Sequence, residues 1–177
     1  MAETASSLLA AWSTFYFMTA SSAAALTGLM FVVISLVTGQ ERTDATQDGI
    51  AAFTTPTVMH FAAALLVSGI LIMPWRSLVH AGIVVAVIGL YGVAQILRVM
   101  GRTRRLTGYT ADLEDWTWFT ILPLGAYVAI SAGAIALATV PVQAMFTLAG
   151  GVMLLIFIGI RNAWDVVTYI ATRRTKP

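Results

Sequence analysis

The chain has only two histidines, and one of them, His60, lies within the run 49–75, which is otherwise free of charged side chains. Its surroundings read Thr54-Thr55-Pro56-Thr57-Val58-Met59-His60. An imidazole exchanges protons at physiological pH because its unperturbed pKa is near 6.5, and an ionisable group deep in an apolar segment is a functional hypothesis by default. Pro56 has no amide proton to give, so in a helix the carbonyl of Ala52 loses its partner one turn before the histidine. Thr57 shares that face, together with Ala63 and Ala64. Pro56, Thr57 and His60 are therefore the candidate lining of a proton or small-ion path. The plainer alternative is a neutral imidazole satisfied by a threonine or a carbonyl of a neighbouring helix.

A second polar constellation is Gly159-Ile160-Arg161-Asn162-Ala163-Trp164-Asp165. Arg161 and Asp165 stand four apart on one helix face and can pair. Arg98, with Gln95 one turn above it, is a rival partner for Asp165. Gln95, Arg98, Arg161, Asn162 and Asp165 are expected at the cytoplasmic mouth of a path, or as an interfacial ion pair that fixes helix register. His80 is about 16 Å from His60 in depth at about 1.5 Å per residue, which keeps the two from sharing a metal within one protomer. The chain lacks G-x-S-x-G, H-E-x-x-H, a phosphate-binding glycine loop and a nucleophile–base pair, so no enzyme activity, cofactor or metal is expected. Its one lysine, Lys176, lies in the tail, which excludes a retinal-type Schiff base in the bundle.

Apolar helices must position these groups. Residues 116–160 carry no charge and are interrupted near the middle by Thr139-Val140-Pro141-Val142-Gln143. As one helix they would be roughly 68 Å long, against a hydrocarbon core of about 30 Å. They must cross, turn and cross back, with Pro141 at the break. The charge-free runs give five spans, at about 12–37, 50–73, 77–97, 116–138 and 142–160, with a cytoplasmic tail at 161–177. The expected fold is thus an all-α five-helix transmembrane bundle, a single domain over 1–177.

Composition agrees: 59% of the residues are hydrophobic and 10% charged, where soluble domains carry about 25% charged residues. Aromatic belts mark the span ends, with Trp12, Phe15, Tyr16, Trp75, Trp116, Trp118, Phe119, Trp164 and Tyr169. Five spans put Arg42, Arg98, Arg102, Arg104, Arg105, Arg161, Arg173, Arg174 and Lys176 on one side and only Arg76 on the other. Basic residues are retained in the cytoplasm, so the N-terminus is expected outside and the C-terminus inside. A net charge of +2 carried by arginines at span ends is no nucleic-acid footprint. Arg102, Arg104 and Arg105 are expected to meet anionic headgroups, near an acidic group of Asp112, Glu114 and Asp115. With no cysteine, disulfides and thiolate chemistry are excluded.

Small residues recur at helical spacing: Ala20, Ala24 and Gly28; Gly82, Ala86 and Gly89; Gly125, Ala129 and Gly133. Such faces let helix backbones approach closely, either within the bundle or between copies of the chain. Three of them lead to the expectation of a homo-oligomer.

The opening patch, Trp12 followed by Ala23-Ala24-Ala25-Leu26-Thr27-Gly28-Leu29, and the closing patch from Ile158 to Asp165 resemble short bacterial membrane proteins of unassigned activity, some labelled membrane-protease modulators. That resemblance implies a bacterial inner-membrane location and a regulatory or scaffold role. The polar residues are too few for a transporter of large polar solutes. The expectation is an oligomeric membrane protein conducting a small ion or proton, with a non-conducting regulatory or scaffold subunit that binds helices of another membrane protein as the alternative.

Overall fold

The computed structural model describes residues 2–38, 44–103 and 116–173, with side chains over 6–35, 56–101 and 116–168. Among the described residues every regular element is a helix. In order these are α1 (Ala2–Thr38), α2 (Asp44–Ile72), α3 (Leu78–Thr103), a π-helical turn (Thr117–Ile121), α4 (Leu122–Ala136) and α5 (Pro141–Arg173). Four segments are long and apolar enough to cross a membrane: Ser6–Ser35, Leu78–Gly101, Thr117–Ala136 and Pro141–Thr168. α2 contributes a shorter apolar stretch, Pro56–Ile72. Phe17, Ile135 and Phe146 are 64%, 67% and 65% exposed. Large apolar side chains turned outward over long helices are the surface of a membrane protein.

Four helices outrun the expected spans, α2 at its start and α3 at its end, and α1 and α5 by the most. α1 begins at Ala2 and α5 continues to Arg173, whereas spans at 12–37 and 142–160 were expected. The first charge marks where a helix leaves the apolar layer and does not end it. No Gly or Pro occurs in 161–173 to break α5. Pro141 opens α5 as its first residue, where its missing amide proton costs nothing. Pro56 lies inside α2, which continues through it. At the end of α2 the Trp75 indole N–H donates to the carbonyl of Ile70 at 2.6 Å, satisfying a terminal acceptor.

Packing follows an order different from that of the chain. α1 lies on α2, α2 on α5, α5 on α4 and α4 on α3, while the consecutive helices α2 and α3 barely touch. Four helices thus form an incomplete ring with a seam between α2 and α3, and α1 lies outside it. Val85, Ile130, Met145, Leu148 and Leu155 belong to one buried apolar core, and Phe61 is fully buried as well. α1 is fixed by two polar contacts. Thr19 Oγ1 and Ser68 Oγ are 2.9 Å apart, and the Tyr16 hydroxyl donates to the Met145 carbonyl at 3.1 Å.

Glycines set the close approaches. A Cβ at Gly82 would lie 2.5 Å from the Ala134 carbonyl oxygen, and one at Gly89 would collide with Ser131. Gly133 faces Leu148 Cγ at 2.9 Å, and Gly151 faces Ile130 at 2.7 Å. Gly159 receives the ring of Phe61. The small face of α3, half-buried Ala86 included, is therefore spent inside the chain. A Cβ at Gly28 or Gly125 would meet nothing within 4 Å; Ala24 is exposed, and Ala20 and Ala129 are half-buried.

Candidate functional site: a cleft between two helices

The seam encloses a cleft of about 840 Å³. Pro56, Met59, His60, Ala63 and Leu66 line it from α2, and Val87, Tyr91, Gln95, Arg98 and Val99 from α3, with Tyr127 of α4 behind. His60 is 2% exposed, and its Nδ1 is 3.0 Å from the Tyr127 hydroxyl. Either group can donate, depending on the imidazole tautomer. Tyr127 reaches this position because Gly92 has no side chain; a Cβ there would enter the phenol ring. Three helices therefore converge on one hydrogen bond: α2 supplies the imidazole, α4 the phenol and α3 the gap.

A polar edge runs down the α3 wall. Arg98 Nη1 donates to Gln95 Oε1 at 3.1 Å, and Gln95 Nε2 donates to the Tyr91 hydroxyl at 2.8 Å. The spacings of four and three residues place the three side chains on one helix face. The other cleft walls are almost wholly apolar.

The expected site residues divide. His60 and Pro56 line the cleft, but Thr57 is fully buried and does not line it. Gln95 and Arg98 line its polar end, whereas Arg161, Asn162 and Asp165 do not. Arg161 pairs with Asp165 one turn along α5. Its guanidinium also lies 5.5 Å from the centre of the Trp118 ring, which packs on Phe157 at 5.9 Å. Asp165 thus has its partner on its own helix rather than in Arg98. Asn162 is 1% exposed, and neither amide atom has a hydrogen-bond partner. Arg104, Arg105, Asp112, Glu114 and Asp115, with Arg42, Arg174 and Lys176, lie outside the described residues, as do the side chains of Arg102 and Arg173.

Tyr127, Gly92 and Tyr91 were not anticipated. The available signal was depth: Tyr127 is eleven residues past Trp116, too far inward for an interfacial belt. Chemically the pair can hold or pass one proton between imidazole and phenol, while Arg98 presents a cation. No protein-family model matches the chain, and no curated protein or solved structure is significantly similar to it.

Proposed function

We propose that this chain is a five-span inner-membrane protein, N-terminus outside and C-terminus cytoplasmic, that serves as a non-catalytic regulatory or scaffold subunit by holding a membrane-resident molecule in the cleft between α2 and α3. The supporting observation is that the cleft lies along the seam where two apolar helices barely touch, with Leu66, Val87 and Tyr91 of its lining exposed. α2, joined to its expected 50–73 span, completes the fifth crossing, and the nine-to-one division of basic residues sets the orientation. Self-association through the open Ala24 and Gly28 face and Gly125 belongs to the same proposal. A photoreactive residue at Leu66 should capture a discrete small adduct in proteoliposomes, while one at Phe146, on the outer surface, should give only scattered bulk-lipid adducts. Identical patterns at the two positions would overturn the reading.

Proton or small-ion translocation is the second reading, supported by the His60–Tyr127 hydrogen bond beside the cleft. It expects pH-dependent flux in liposomes between pH 5 and 8, altered by His60→Ala. Flux equal to that of empty liposomes would remove it.

A further inference from the structure

We infer that the cleft receives one acyl chain of an anionic phospholipid, with its phosphate on Arg98 and the chain lying between α2 and α3 toward His60. The inference rests on the cleft being the working site. Three observations carry it. First, among the described residues Arg98 is the one charged residue lining the cleft, and no acidic side chain lines it. Gln95 orients the guanidinium by accepting a single N–H, and Arg98 forms no ion pair among the described residues. The other N–H groups of the fork can meet an anion, and a phosphate matches their geometry.

Second, the cleft has the depth of one leaflet. From Val87 to Val99 is roughly 18 Å at about 1.5 Å per residue, close to half of a hydrocarbon core of about 30 Å. Its charged end therefore lies at headgroup level when its inner end lies near the midplane. Third, the walls that a chain would touch, including Met59, Leu66 and Val87, are apolar and partly exposed to the side. A volume of about 840 Å³ is within the range of pockets that bury a small organic ligand. An end-on aqueous solute would meet little but hydrocarbon there.

The test uses the full-length protein in detergent, presented with equimolar phosphatidylglycerol and phosphatidylcholine of identical chains, with bound lipid counted by native mass spectrometry. Phosphatidylglycerol should be retained preferentially. Arg98→Gln should lower its retention about fivefold, as expected for one basic contact to an anionic lipid, and leave phosphatidylcholine unchanged. Ala62 also lines the cleft, and Ala62→Phe, which narrows it, should displace both. Equal retention of the two lipids, both lost in Ala62→Phe, would overturn the anionic head while sparing the cleft as the working site. Unaltered retention in Ala62→Phe would overturn both. Displacement of the lipid by excess inorganic phosphate would also overturn the inference, because the acyl chain would then contribute nothing.

Discussion

Helix α3 presents two different faces, and the contrast between them explains where a site can exist in this bundle. On one face Gly82, Gly89 and Gly92 meet the backbone and side chains of α4 with no space for a methyl group. On the other, Val87, Tyr91, Gln95 and Arg98 stand off from α2 across a cleft. In lipid, helices associate through close packing rather than hydrophobic drive, so the glycine face binds its neighbour and the bulkier face leaves a gap.

The contrast is most exposed to failure at Gly82. Gly82→Ala places a methyl against a backbone carbonyl that cannot swing aside, and should destabilise the bundle by about 1–3 kcal/mol in thermal or denaturant unfolding. Gly28→Ala and Gly125→Ala meet nothing within 4 Å and should be neutral or stabilising by up to about 1 kcal/mol. Equal outcomes at the three positions would erase the distinction between the sealed and open faces. Next in size is the contact spanning the cleft's back wall. Tyr127→Phe leaves the buried His60 Nδ1 without its partner and should cost about 1–3 kcal/mol. Tyr91→Phe, on the exposed side, should change stability by no more than about 0.5 kcal/mol.

A smaller effect is expected at Asn162. Having no hydrogen bond to lose, Asn162→Leu should be neutral or slightly stabilising by the same unfolding measurement; a loss above about 1 kcal/mol would mean that the amide is satisfied by a second chain or by a bound molecule. Smallest in stability, though not in assembly, is Gly28→Leu. It should reduce self-association by light scattering without weakening the protomer. A monomeric unmodified protein would withdraw that expectation.

The helices themselves were legible because charge-free runs of limited length have few alternatives in lipid. Their ends were less so. The residues 161–173 read as a tail because charge returns there, yet nothing in them stops a helix. His60 stood out as an isolated imidazole, but its partner is 67 residues away on α4, and local spacing holds no information about which helices become neighbours. The same limit affected the glycines. Gly82 and Gly89 were identified as a contact face, but neither their partner nor the role of Gly92 follows from a single-helix period. Arg161 and Asp165 were readable as a pair because both lie on one helix. Arg98 and Asp165 required knowledge of packing, and the pairing was not realised.

The π-helical turn at Thr117–Ile121 has a further consequence for how this architecture tolerates change in chain length. An α-helix advances about 100° per residue, and a π turn holds one residue more than the α turn it replaces. Trp118, within the turn, indexes against Phe157 of α5, while Tyr127, beyond it, indexes against His60 of α2. Excising a single residue such as Thr120 would therefore restore an ordinary α turn and leave the two rings in register, whereas excising Leu124 from the regular helix beyond it would turn one ring by about 100° relative to the other. The extra residue is thus absorbed locally, and the tryptophan and the buried tyrosine tolerate a change of chain length within the turn that the regular helix between them does not.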